Sequence, residues 1–98
     1  MSLNRQEDAI YSYERALKLK PTPLQKNRIL LELAGIERQA GKLESAINRM
    51  DALLKADPEY PEKETLLLGM KQIAVSGKLS SKVTEIEAQL EALKANSE

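Results

Sequence analysis

The sequence predicts an all-α protein of five helices arranged as antiparallel hairpins. Leu, Ala, Glu, Lys and Gln dominate the 98 residues, whereas the only aromatic residues are three tyrosines, and this composition favours helix over strand. Apolar residues recur at helical spacing, and Pro or Gly separates the periodic segments. Because the expected loops have only about two to five residues, consecutive helices must lie antiparallel.

The first helix is expected between Asn4 and Pro21. Asn4 is a candidate N-cap, Glu7 stands three residues later as in a capping box, and Pro21 ends the helix. The apolar positions at helical spacing are Ala9, Ile10, Tyr13, Ala16 and Leu17.

The second helix has the strongest start signal in the chain. Thr22 can accept hydrogen bonds from first-turn amides, Pro23 suits the first turn, and Gln25 can reach back to the cap. We expect this helix to run to about Ala40 and to end at Gly41.

Proline and glycine residues also delimit the remaining helices. The third is predicted over 43–56 and is stopped by Asp57-Pro58, because the residue before a proline disfavours helix. The fourth is predicted over 61–75 and ends at Ser76-Gly77, and the fifth over 80–95.

Two sequence patterns recur along the chain. The arrangement Ala9-x3-Tyr13-x2-Ala16-x4-Pro21 recurs as Ala46-x3-Met50-x2-Leu53-x4-Pro58, a period of 37 residues. The loop sequence Gly41-Lys42-Leu43 recurs as Gly77-Lys78-Leu79, a step of 36 residues.

These patterns resemble the tetratricopeptide repeat (TPR) family, whose helix-turn-helix unit of about 34 residues carries a small residue, an aromatic residue and a terminal proline. The chain departs from the family in its longer period, in Met50 at the aromatic position, and in Lys82 and Gln89 where small residues are expected. The resemblance implies an α-solenoid, a TPR-like superhelix, of about two and a half repeats.

The repeat interpretation divides the chain into segments. Residues 4–20 correspond to the second helix of a truncated repeat, 22–57 to a full repeat, and 59–95 to a divergent or capping repeat. Residues 1–3 fit this pattern poorly and are interpreted as a possible cloning scar. The chain is therefore expected to be a fragment of a longer protein.

The composition argues against several functions. The chain has no cysteine or histidine, which removes thiol nucleophiles, imidazole bases and the commonest zinc ligands, so neither enzyme activity nor a metal or cofactor is expected. Fifteen basic residues balance fifteen acidic ones, which argues against nucleic acid as a partner. No apolar run approaches the length of a membrane span, and the compartment is left open, with the cytoplasm as the default.

The resemblance implies a scaffold that binds a partner protein or peptide, because the first helices of TPR units line a concave groove. Carried onto this chain, the groove would be lined by Arg28, Leu31, Glu32, Gly35, Arg38, Glu64, Leu67, Leu68 and Lys71. Apolar anchors with flanking cations suit an amphipathic ligand. Leu67 and Leu68 are equally compatible with a core role, since successive leucines cannot face one way. The Lys and Asn constellation that grips chaperone tails in one subgroup is missing.

Self-association is the alternative function. Leu79, Val83, Ile86, Leu90 and Leu93 form a short heptad seam on the fifth helix, and an uncovered first helix would expose further apolar area. The candidate homodimer residues are Ile10, Leu17, Val83, Ile86, Leu90 and Leu93. The seam spans just over two heptads, so packing against the fourth helix is the favoured interpretation.

Basic residues cluster around the first interhelix loop. Lys18, Lys20, Lys26 and Arg28 are favoured as solvated side chains, the first two complementing the C-terminal dipole of the first helix. Attraction of an acidic partner is the alternative.

Overall fold

A computed structural model describes the backbone of residues 2–96 and the side chains of residues 5–95. Within this range every regular element is an α-helix, which confirms the all-helical prediction and the number of helices. The elements are α1 (Ser2–Lys18), α2 (Pro23–Gln39), α3 (Leu43–Ala56), α4 (Lys63–Ser76) and α5 (Ser80–Asn96).

The capping chemistry predicted for α2 is present. The Thr22 hydroxyl accepts a hydrogen bond from the Gln25 amide at 3.2 Å, and the Gln25 side-chain oxygen accepts one from the Thr22 amide at 3.0 Å. Two amides that the helix itself leaves without partners are thereby satisfied. The bounds of α3 also match the predicted 43–56.

Two predicted helix starts were wrong. Helix α1 already begins at Ser2, so Asn4 lies within the helix and is not its N-cap. Helix α4 begins at Lys63 and not near Pro61, because the preceding residues form turns in which the Lys63 amide donates to the Tyr60 carbonyl at 3.1 Å.

Each helix packs against the next one along the chain, most closely within the pairs α2–α3 and α4–α5. The neighbours run antiparallel: the Asn27 amide group near the start of α2 donates to the Asp57 carboxylate at the end of α3 at 3.3 Å. The Cα positions span 47 × 32 × 16 Å, so the molecule is a thin slab.

The core runs through α2 to α5. Its largest fully buried side chains are Leu33, Ile47, Leu53, Leu67, Met70 and Ile86. Removing each such side chain from water contributes about 1.5–3 kcal/mol. Ala46 and Ala74 have no exposed surface, and such small residues allow neighbouring backbones to approach closely.

The loops that end α2 and α4 share one backbone hydrogen-bond pattern, the Schellman motif. The Lys42 amide donates to the Glu37 carbonyl at 2.8 Å, and the Leu79 amide donates to the Ala74 carbonyl at 2.9 Å. Donor and acceptor both shift by 37 residues between the two loops. The backbone therefore repeats with the period of the alanine pattern and not with the 36-residue step of the Gly-Lys-Leu sequence.

Candidate protein-binding surface

A depression of about 580 Å³ lies between the end of α2 and the outer face of α4. Its lining residues are Arg38, Leu68, Lys71, Gln72, Val75 and Ser76. Leu68 and Val75 are seven residues apart, two helical turns, and therefore share one face of α4. They are 48% and 56% exposed, so α4 presents an apolar stripe to solvent with Arg38 beside it.

A second depression of about 420 Å³ lies at the start of α2, and it brings together three predicted groove residues, Arg28, Leu31 and Glu32. Arg28 Nε lies 3.5 Å from Glu32 Oε1, one turn along the same helix. Tyr60 from the α3–α4 loop also contributes to the lining. Gly35 is exposed on the same helix, and a Cβ added there would meet nothing within 4 Å.

The outer face of α4 continues towards α5 in a third depression, of about 630 Å³, lined by Glu64, Leu68 and Lys71 among others. Lys71 Nζ lies 3.2 Å from Glu87 Oε2 on α5. Part of the Lys71 charge is therefore already neutralised within the chain, and Arg38 is the stronger cation at the rim of the α4 stripe.

Leu67 does not belong to this surface. It has no exposed area and lies in the core, whereas Leu68 is about half exposed. Each residue of a helix turns by about 100°, so Leu66 and Leu67 face inward and Leu68 faces outward. The prediction that Leu67 lines the groove is corrected accordingly.

The residues proposed for self-association face inward. Ile86 is 2% exposed and Ile10 is 8% exposed. The half-buried residues Leu17, Val83, Leu90 and Leu93 pack against the core. The heptad seam of α5 is thus occupied by contacts within the chain, as its shortness suggested. The expectation that these six side chains offer a free surface is corrected.

A partly buried ion network links α1, α2 and α3. Arg49 of α3 donates to Glu37 of α2 through Nε at 3.2 Å, and to Glu14 of α1 through Nη2 at 2.6 Å. Glu37 is only 3% exposed. Partial burial lowers the pKa of Arg49, but the hydrogen bonds that Arg49 donates to the Glu37 and Glu14 carboxylates outweigh this effect, and the net pKa is raised. The network joins three helices and is structural.

Tyr13 and Glu32 form a second link between α1 and α2. The Tyr13 hydroxyl donates a hydrogen bond to a Glu32 carboxylate oxygen. This bond raises the pKa of Tyr13 and lowers the pKa of Glu32, because it needs a protonated phenol and an ionised carboxylate. Glu32, predicted for the groove, is therefore partly engaged by α1.

Several residues that line the surface were not predicted from the sequence. Val75 and Gln72 follow Leu68 by seven and four residues, and this spacing was the available signal. Leu24 and Tyr60 line one depression from two different segments, and nothing local in the sequence predicts that arrangement.

Comparisons with protein-family models, curated proteins and solved structures give no match to this chain. The surface must therefore be interpreted from its own geometry. Among the described residues, no group of carboxylates could hold a metal ion. In the same part of the chain no helix is long and apolar enough to cross a membrane.

Proposed function

We propose that this chain is a non-catalytic protein-interaction module that binds an amphipathic segment of a partner protein between α2 and α4. The observation that carries the proposal is the exposed pair Leu68 and Val75 on one face of α4, with Arg38 at its rim. Apolar side chains that form one stripe supply binding area, and the flanking charge sets register and orientation.

A TPR-like α-solenoid is the architecture that we propose for this module. Three features support it: helices pack in chain order, the loop hydrogen bonds repeat after 37 residues, and the slab is 16 Å thick. Two helix layers about 9 Å apart, each with a Cα radius of about 2.3 Å, give a thickness of about 14 Å. In this arrangement α2 and α4 are equivalent first helices and share one face.

The expected ligand follows from the chemistry of the surface. Arg38 is exposed, and no ion pair to it is formed by the described residues. No carboxylate lines the depression that contains Leu68 and Val75. A segment with apolar residues at helical spacing and an adjacent acidic residue would cover the leucine and valine and pair with Arg38.

Selection from a random peptide display library tests this proposal, because the library samples many candidate ligands at once. Selected peptides should carry apolar residues at helical spacing with acidic neighbours, and their affinity should fall by about tenfold or more, about 1.4 kcal/mol, for Leu68→Glu/Val75→Glu. Circular dichroism should remain unchanged, because both residues are exposed.

The matched control is Tyr11→Glu, which places a charge on another exposed apolar residue, on α1. This variant should bind the selected peptides like the original chain. The proposal is wrong if the α4 double variant retains full affinity, or if Tyr11→Glu weakens binding as much.

A further inference from the structure

The α1–α2 loop and the α3–α4 loop lie side by side at one end of the helices, an end that we call the loop edge. Asn27, one turn into α2, donates a hydrogen bond to the carboxylate of Asp57 at the end of α3 at 3.3 Å. Tyr60 shares one depression with Leu24 of α2 and another with Leu93 near the end of α5. Antiparallel packing puts these chain segments together although about 40 residues separate them.

The two loops carry opposite charge. Residues 15–31 contain five cations and no carboxylate: Arg15, Lys18, Lys20, Lys26 and Arg28. Residues 57–64 contain four carboxylates, Asp57, Glu59, Glu62 and Glu64, against one lysine. We call these the basic segment and the acidic segment. A chain of zero net charge thus has a strongly dipolar loop edge.

Most of these charged side chains form no ion pair with another described residue. Lys18, Lys20 and Lys26 are exposed and make no ion pair with any described residue, and the same holds for Glu59 and Glu62. The lysine of the acidic segment, Lys63, turns back to the Pro58 carbonyl at 3.4 Å.

Apolar groups accompany the charges on both segments. Leu19 and Leu24 of the basic segment are 81% and 83% exposed, the most exposed large apolar side chains among the described residues. A depression of about 470 Å³ on the acidic side has an apolar lining of Pro58, Tyr60, Pro61 and Leu93. The charged residues around it are Glu59, Glu64, Lys63 and Lys94.

We propose that the loop edge binds the loop edge of a second copy of this chain. In a two-fold arrangement the basic segment of each copy faces the acidic segment of the other, so that the contact occurs twice and closes at two chains. Leu19 of one copy would enter the depression around Tyr60 of the other, with Lys18 and Lys20 near Glu59 and Glu62.

The charges favour a second copy over other partners. An anionic lipid surface or a nucleic acid would be repelled by the acidic segment at the same edge. An acidic peptide would pair with the basic segment and leave the acidic segment unpaired. A second copy offers both signs in the required order.

The dimer should be weak and sensitive to salt, because exposed charges provide much of the attraction and are screened over about 10 Å at 0.1 M salt. In sedimentation equilibrium, the mass should rise from one chain to two between about 10 μM and about 1 mM. It should return towards one chain at about 0.5 M salt.

Charge-swapped variants test the pairing directly. Lys18→Glu/Lys20→Glu lowers the charge of the basic segment from +5 to +1 and places two carboxylates opposite Glu59 and Glu62. Glu59→Lys/Glu62→Lys changes the charge of the acidic segment from −3 to +1 and places two ammonium groups opposite Lys18 and Lys20. Each variant alone should stay monomeric because like charges then face each other. An equimolar mixture should form a one-to-one dimer, because each contact again joins opposite charges.

The matched control is Lys42→Glu/Lys78→Glu, which makes the same charge change in the loops at the opposite end of the helices and should dimerise like the original chain. Four results would each overturn the proposal: a monomer at every concentration, no dimer in the mixture, a mass that grows beyond two chains, or binding of the monomer to anionic vesicles. The substitutions leave the α2–α4 surface intact, so failure here is separate from failure of the peptide-binding proposal.

Discussion

Tyr13 and Glu32 form an interhelix hydrogen bond whose two groups titrate in opposite directions. The usual pKa of the Glu32 carboxyl group is 4.5 and the bond lowers it. The ionised carboxylate therefore stabilises the folded chain fully above pH 4.5, and this stabilisation is lost as the pH falls through the lowered value. The usual pKa of the phenol is 10.0 and the bond raises it. The protonated phenol therefore stabilises the folded chain fully below pH 10.0, and this stabilisation is lost as the pH rises through the raised value.

Tyr13→Phe should therefore lower the free energy of unfolding between about pH 5 and pH 9.5, and the difference from the original chain should vanish in strong acid and in strong base. Urea denaturation across the pH range measures this difference. Tyr11→Phe is the control, because Tyr11 stacks under Arg15 at 5.7 Å and phenylalanine preserves that contact. A pH-independent effect of Tyr13→Phe would show that the ring alone, and not the hydroxyl, links the helices.

The loops after α2 and α4 show how far local sequence determines an element. Gly41 adopts a positive φ of 83°, and Lys78 adopts a positive φ of 56°. Sequence alignment pairs Gly41 with Gly77, but the backbone pairs it with Lys78, since α4 ends 37 residues after α2. Gly77 instead has φ −89° and admits Leu43, whose Cδ1 would lie 2.9 Å from a Cβ there.

Lys78→Gly should raise the free energy of unfolding by about 1 kcal/mol, because a positive φ strains a side-chain-bearing residue. Gly41→Ala should lower it by a similar amount for the same reason. Urea denaturation provides both values. The control is Lys42→Gly, the sequence counterpart of Lys78, which has φ −88° and should be destabilising. If Lys78→Gly behaves like Lys42→Gly, backbone strain does not govern this loop.

How well each helix could be predicted depends on how far apart in the sequence its interacting residues lie. Thr22 and Gln25 are three residues apart, so the start of α2 could be predicted from local chemistry. The sequence left the roles of Leu67 and Leu68 undecided, because packing against the neighbouring helices determines which of two adjacent leucines is buried. The capping pattern at Asn4 was misleading, because α1 already begins at Ser2, on the N-terminal side of Asn4.

The buried Glu37 illustrates what sequence patterns miss altogether. Nothing next to Glu37 marks it as buried, and its partner Arg49 lies twelve residues away on the next helix. Arg49 also reaches Glu14 on α1, thirty-five residues earlier. Three helices thus share one cation, and this link adds to the contact of α1 with α2.

Replacement of Arg49 should show how strongly this network holds the chain together. Arg49→Met would leave Glu37, 3% exposed, without its cationic partner, and should lower the free energy of unfolding by about 3 kcal/mol. Because Arg49 also contacts Glu14, native-state hydrogen exchange in α1 should accelerate more than exchange in α4 and α5.

The double variant Glu37→Leu/Arg49→Met separates loss of the ion pair from loss of packing. Removing both charges leaves no unpaired buried group, so the stability measured by urea denaturation should recover most of what the single variant loses. Exchange in α1 should stay faster than in the original chain, since the link from Arg49 to Glu14 is absent in both variants. Equal stability of the single and double variants would mean that the aliphatic part of Arg49, and not its charge, supports the three helices. Uniform acceleration in all five helices would mean that the slab opens as one cooperative unit, despite packing in chain order.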